Sequence, residues 1–140
     1  GGQHVGIATS AGVSGGIENG KTGMSGLVSH CAGLAAEDIV LRDYRQRGYR
    51  VLAQRWRGQG GEIDLIFAFG DAVVFVEVKK ARDIATAAAR LSERQMQRLY
   101  NSAGGFLAGQ PNGMNTEARF DVALVNGTGA FEILENAFGH

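Results

Sequence analysis

The sequence predicts one α/β domain whose elements run helix, three strands, helix, two strands (αβββαββ), and three observations carry that prediction. Two strongly strand-like runs, Gly61-Glu62-Ile63-Asp64-Leu65-Ile66 and Val73-Val74-Phe75-Val76-Glu77-Val78, flank Gly70-Asp71, a two-residue hairpin signal. Helical apolar spacing precedes them between Ala32 and Gly48, and an alanine-rich helical run follows from Ala85 to Ala108. Two more strand-like runs, Ala118–Val125 and Ala130–Leu134, are set off by Gln110-Pro111-Asn112-Gly113 and Asn126-Gly127-Thr128-Gly129.

Taken in order, residues 1–28 are rich in glycine, poor in large apolar side chains and without a period. They are expected to be a flexible tail, because they bury too little to offset ordering entropy. Met24 is a candidate natural start. Residues 29–140 then form the domain, of ordinary size for one core at 44% hydrophobic residues. In the first helix Leu34, Ala35, Ile39, Val40, Leu41 and Tyr44 recur at helical spacing, and Gly48 stops it. Glu37 lies early in that helix, where it either favours the positive helix end or reaches an active centre. Tyr49–Trp56 reads as strand one, Gly58–Gly61 as a loop, and the acidic hairpin follows. Gly104-Gly105 is a weak spot in the second helix.

The hairpin fixes a register. If Phe69 pairs with Ala72, Asp64 sits across from Glu77 and Glu62 across from Lys79, all on one face. Opposed like charges destabilise a ladder by roughly 0.2–1 kcal/mol, and by more where water is excluded. A hard divalent cation offsets that repulsion, because Mg²⁺ takes one or two carboxylates plus waters and phosphate oxygens. Lys79 would then stand beside it, placed to orient an attacking hydroxide or to balance charge on a phosphate oxygen. The plainer alternative is a solvated edge hairpin in which Glu62 and Lys79 form an ordinary ion pair. The apolar density of Val73–Val76 favours a cleft, since a strand covered on both faces has few places for charge.

Composition excludes several classes. A lone cysteine, Cys31, rules out an intrachain disulfide and a cysteine-rich zinc site. There is no apolar run of membrane-spanning length and no basic-then-apolar leader pattern, so the chain reads as soluble and cytoplasmic, with no membrane partner. His4, His30 and His140 are not spaced as ligands or bases, and no Walker loop or dinucleotide fingerprint is present. Net charge is zero, yet the basic residues cluster. Arg42, Arg45, Arg47, Arg50, Arg55 and Arg57 fill one window, and Lys79, Lys80, Arg82, Arg90, Arg94 and Arg98 another. Arginine suits phosphate, so a nucleic-acid groove formed by Arg42, Arg45, Arg55, Arg57, Lys80, Arg82 and Arg94 stands beside the alternative of solvated helix faces. Trp56, Tyr49 and Tyr100 either stack on bases or pack.

Glu37, Gly48-Tyr49, Gly61-Glu62-Ile63-Asp64-Leu65-Ile66, Phe75-Val76-Glu77-Val78-Lys79, Arg119-Phe120-Asp121-Val122 and Asn136-Ala137-Phe138 together resemble the YraN-like family of small bacterial proteins, over about Ala32 to Phe138. That family is similar to restriction-endonuclease-like nucleases with a PD-(D/E)XK site, including archaeal Holliday-junction resolvases. The resemblance implies a mixed central β-sheet flanked by helices. It also implies metal ligation by Asp64 and Glu77 with the Val78 carbonyl, a catalytic Lys79, and Glu37 as the helix acid. The chain departs from the usual pattern at Arg55, where asparagine is common, and at Gln95, where lysine is common. Gln95 either serves the metal site or is solvated, and Asp121 reads as structural. The expectation is an Mg²⁺- or Mn²⁺-dependent nuclease acting on DNA in preference to RNA, on structured or branched forms, with a homodimer suggested by analogy. The alternative is a non-catalytic nucleic-acid-binding or assembly module on the same fold.

Overall fold

The computed structural model describes residues 3–7 and 25–137, with only the backbone described for 3–7 and 25–34. Its elements are β1 (Gln3–Ile7), α1 (Ser25–Gln46), β2 (Arg50–Gly58), β3 (Gly61–Phe69), β4 (Ala72–Lys80), α2 (Ile84–Ala89), α3 (Glu93–Ala108), a 3₁₀ turn at Gly113–Asn115, β5 (Ala118–Val125) and β6 (Ala130–Leu134). Strands β2–β6 make a mixed five-stranded sheet in the order β6-β5-β4-β3-β2, and β1 extends its edge beyond β6. The β4–β5 pairing is parallel and the others antiparallel, with α2 and α3 forming the crossover that parallel strands require.

Each face of the sheet has its own core. On one, Ala36, Val40 and Tyr44 of α1, spaced by four residues, pack onto Leu65, Phe67, Val74, Val76 and Ala123. On the other, Leu99, Ala103 and Leu107 of α3 cover Ile63, Ile66, Phe75, Val122 and Leu124. Val73 to Val76 are buried throughout, as their unbroken apolar run predicts for a strand covered twice. Trp56 and Tyr100 belong to the α3-side packing, edge-on to Phe106 and Phe120, and Tyr49 stacks on Phe69 with ring centroids 4.2 Å apart. Packing, the plainer reading of these three rings, describes them.

Local chemistry explains the boundaries. Gly48, at φ +96°, ends α1: its N–H bonds to the Arg45 carbonyl and the Tyr49 N–H to the Tyr44 carbonyl, a left-handed glycine cap. The expected helix from Ala85 to Ala108 is two helices. Asp83 caps α2 by accepting from the Thr86 N–H, and Ser92 caps α3 by accepting from the Gln95 N–H. Ser92-x-x-Gln95 is a start signal that the alanine periodicity masks.

The N-terminal segment differs from the expected tail. Gln3–Ile7 pairs antiparallel with β6, from Gln3 opposite Leu134 to Ile7 opposite Ala130, and α1 begins at Ser25 rather than near Ala32. Strand addition uses backbone N–H and C=O groups on an open edge, so it needs no apolar pattern of its own. Met24 and the side chains of His4, His30, Cys31 and His140 lie outside the described residues. No helix among the described residues is long and apolar enough to cross a membrane.

The β2–β3 turn is pressed against α3. A Cβ at Gly60 would run into the Arg98 carbonyl oxygen, while Arg98 Nε donates to the Gly60 carbonyl at 3.1 Å and Ser102 Oγ to the Gly61 carbonyl at 2.8 Å. Backbone cannot yield there as a flexible side-chain end would. Gly60→Ala is therefore expected to lower stability by about 1–3 kcal/mol, seen as a fall in melting temperature of roughly 5–15 °C. An unchanged melting curve would mean that the turn does not rest on α3.

Candidate active site at the β3–β4 fork

Gly70-Asp71 sets the predicted register, from Phe69 opposite Ala72 to Leu65 opposite Val76. The ladder stops there, one step short of the expected pairing of Asp64 with Glu77. Asp64 Oδ2 instead accepts from the Val78 N–H at 2.8 Å, so the carboxylate takes up a donor where regular pairing has ended. Asp64 has no Cα partner on the β2 side either, although Ile63 and Leu65 do. Arg55, between their partners Trp56 and Gln54, has φ +50°, the left-handed region. Face alternation breaks at this point: Ile63 lies in the α3-side core while Leu65 and Phe67 lie in the α1-side core. The β3–β4 ladder thus ends beside Asp64, while β2 and β3 resume their pairing at Ile63 in the same register.

Glu77 is 7% exposed. One of its oxygens, Oε2, receives both Gln95 Nε2 at 2.6 Å and Lys79 Nζ at 3.0 Å. The expected partnership of Lys79 with Glu62 is corrected here. The strands have parted before those positions, so Lys79 turns to Glu77 two residues back on its own face, and Glu62 is paired in register with Arg57 of β2. Gln95, at the third residue of α3, could have folded back to cap its own helix. It spends its amide on Glu77 instead, which ties α3 to the site.

Burial and the adjacent Glu77 carboxylate push Asp64 up to about 7 from the usual 3.8, against the Val78 N–H, which pulls it down; Glu62 adds a smaller push. Glu37 is also raised, first by burial and then by Asp64 and Glu62, and is lowered by Arg55, whose Nε donates to Glu37 Oε1 at 3.2 Å. The fold therefore gathers Asp64, Glu77, Val78, Lys79 and Gln95, with Glu37 and Glu62 close enough to be felt electrostatically. Glu37 sits in the middle of α1, not at its positive end, because the helix starts at Ser25.

A divalent cation fits this donor set. Two neighbouring carboxylates, one of them driven towards its protonated form by burial and then by the other's charge, are what Mg²⁺ or Mn²⁺ would relieve. The Val78 contact in the structure is its N–H, which orients Asp64. Among the described residues, no three His, Cys, Asp or Glu side chains are grouped as a ready-made metal cage.

The basic residues divide. Arg55 belongs to the site through Glu37, Arg57 lies on β2 opposite Glu62, and Arg94 is exposed beside Gln95 on α3. Lys80 ends β4 with its carbonyl bound by Arg90, and Arg82, its side chain 90% exposed, follows with Asp83 at 3.7 Å. Arg42 is paired with Asp38 at 2.7 Å on exposed helix surface. Arg45 lies eight residues beyond Glu37, about 12 Å along α1, where it lines an open cleft of about 450 Å³ with Tyr49, Arg50 and Gln54.

Asp121 proves to be structural. It is 1% exposed and binds Tyr44 Oη at 2.6 Å, Arg119 Nε and Nη2 at 2.9 Å, and the Asn136 N–H at 2.9 Å. Burial and this carboxylate raise the Tyr44 hydroxyl well above its ordinary range, so it stays protonated and donates to Asp121. Sequence reading missed the roles of Tyr44 and Arg119 in this network; Arg119-x-Asp121 on one strand face was the only available signal.

The family model described as "Uncharacterised protein family UPF0102" matches residues 36–125. Similar proteins include a UPF0102 protein of Ruegeria pomeroyi, 61% identical over 115 residues that cover 82% of this chain and 94% of the relative. Another, from Cereibacter sphaeroides, is 58% identical over 115 residues that cover 82% of this chain and 98% of the relative, and one from Roseobacter denitrificans is 50% identical over 81% and 88%.

The acid pair makes a stability prediction. A carboxyl group raised in the folded state is ionised more readily in the unfolded chain, so its contribution is favourable at low pH and is lost as pH rises from about 4 to about 7. Asp64→Asn keeps an oxygen for the Val78 N–H and removes the charge. In metal-free buffer the variant is expected to melt roughly 5 °C higher than the parent at pH 8, with little gain at pH 4. A lower melting temperature at pH 8 would contradict the repulsion.

Proposed function

The chain belongs to the UPF0102 family, and from that premise we propose that it is a metal-dependent nuclease hydrolysing phosphodiester bonds of DNA, on a fold of the restriction-endonuclease-like kind. The observation that carries this reading is the Glu77 carboxylate, held on one oxygen by Gln95 and Lys79 while facing Asp64 at the opened end of the hairpin. A merely structural pair of acids would be expected to carry a partner of opposite charge on both members. Among the described residues, Asp64 meets the Val78 N–H, shares a side-chain hydrogen bond with Glu77 and has Glu77 and Glu62 as like-charged neighbours. The hairpin followed by a helical crossover into parallel β5 supports the fold reading, because it leaves the acids at an open strand end beneath two helices.

Asp64 and Glu77 would hold Mg²⁺ or Mn²⁺, which when bound polarises a phosphodiester and lowers the pKa of a water. Lys79, its ammonium among the acids, supplies donors for the attacking oxygen and offsets charge on the phosphate. Gln95 fixes the Glu77 carboxylate, so that the oxygen facing Asp64 keeps its aim. Arg57, Lys80, Arg82 and Arg94 border the site and hold the phosphate backbone with little reading of bases.

Cleavage of labelled single-stranded, duplex and four-way-junction DNA with Mg²⁺ or Mn²⁺ tests the reading. Glu77→Ala and Lys79→Ala are each expected to slow cleavage by about 10²-fold or more while DNA is still bound. Binding without cleavage on every substrate would replace the nuclease with a non-catalytic nucleic-acid-binding module. Affinity should fall about 100-fold between 50 and 200 mM salt if some four phosphates are contacted; a flat response would remove the basic border from the argument.

A further inference from the structure

Arg55 holds a conformation that the sheet alone does not require. Its φ of +50° lies in the left-handed region, which a non-glycine residue adopts only against a steric cost. It lies within β2 between Gln54 and Trp56, at the position facing the unpaired Asp64. That conformation accompanies a side chain turned to α1, where it meets Glu37 across 18 residues of sequence. The Glu37 side chain is 19% exposed and that of Arg55 48% exposed, so the acid is largely enclosed while its guanidinium partner remains open to solvent. The acidic neighbours of Glu37 are Asp64 and Glu62.

We propose that Arg55 is a positioning residue that couples cation binding to substrate binding. In the free protein it holds Glu37 apart from the Asp64–Glu77 pair, and a substrate phosphate that draws off its guanidinium releases Glu37 towards the cation. The proposal rests on the nuclease reading to the extent that the site takes both a divalent cation and a polyanion. A planar guanidinium with nitrogens open to solvent is a ready partner for phosphate. Once it leaves, Glu37 stands beside two other acids without a countercharge and gains most from a divalent ion. By linkage, the cation must then tighten polyanion binding by the same factor that the polyanion tightens the cation.

A double-mutant cycle on the full chain tests this through metal affinity alone. Arg55→Gly suits the left-handed backbone, so it removes the side chain without a folding penalty at φ +50°. Without DNA, Arg55→Gly is expected to tighten Mn²⁺ binding, read by calorimetry, about tenfold; in a Glu37→Gln background the same change should shift it less than about twofold. Simple removal of a positive charge would act equally in both backgrounds, and that result overturns the proposal. In a second arm, Mn²⁺ should tighten binding of a fluorescent DNA duplex to Lys79→Ala protein, and adding Arg55→Gly should abolish that dependence; a dependence that survives also overturns it. A parent protein that binds no Mn²⁺ overturns this coupling together with the metal site, whereas Mn²⁺ binding with no Arg55–Glu37 coupling overturns this inference only. Coupling observed without cleavage of any DNA would sink the nuclease and leave the coupling standing.

Discussion

The end of the β3–β4 ladder is the constraint on which the rest depends. A hairpin closed at Gly70-Asp71 commits Asp64 and Glu77 to the same position along two neighbouring strands, and two carboxylates there cannot sit in a regular pair without cost. The sheet responds by parting. Asp64 bonds to the Val78 N–H, β2 turns through a left-handed Arg55, and the alternation of faces shifts by one residue. Lys79, Gln95 and Glu37 then approach from three different elements because the opening admits them.

A second polar network balances the first. Asp121, next to β4 in the parallel register opposite Val76, binds Tyr44 of α1, Arg119 of its own strand and the backbone of Asn136 beyond β6. Every strong partner is present, so this buried charge is accounted for. Arg47 closes the end of α1 over it, its guanidinium 4.5 Å from the Tyr44 ring centre and 5.1 Å from that of Tyr49, and salt-bridged to Asp43. One acid is fully satisfied and the other conspicuously is not. That contrast separates the carboxylate that holds the fold from the acid pair on which the proposed function rests.

The two helical layers have unequal tasks. α1 delivers Glu37 at mid-length and anchors in the Asp121 network through Tyr44, seven residues later, so its position along the sheet is fixed from the structural end. α3 is clamped by Arg98 and Ser102 to the β2–β3 turn, and its first turn presents Gln95 to Glu77. Both helices therefore transmit rigid packing to single side chains at the fork.

What the sequence determined by itself was whatever a short stretch of chain dictates: strands from unbroken apolar runs, the hairpin and its register from Gly70-Asp71, the end of α1 from Gly48, and the presence of Asp64, Glu77 and Lys79 at one strand end. The break between α2 and α3 was also legible in Ser92-x-x-Gln95, although the surrounding alanines concealed it. Tertiary structure alone decided that the ladder would part before Asp64, that Lys79 would choose Glu77 over Glu62, that Gln95 would leave its own helix to reach a strand, that Arg55 would find Glu37, and that Gln3–Ile7 would add to the edge of β6. Each of these choices is a competition among partners distant in sequence, settled by which donor the packed helices and the sheet twist bring within about 3 Å. No local period encodes that distance.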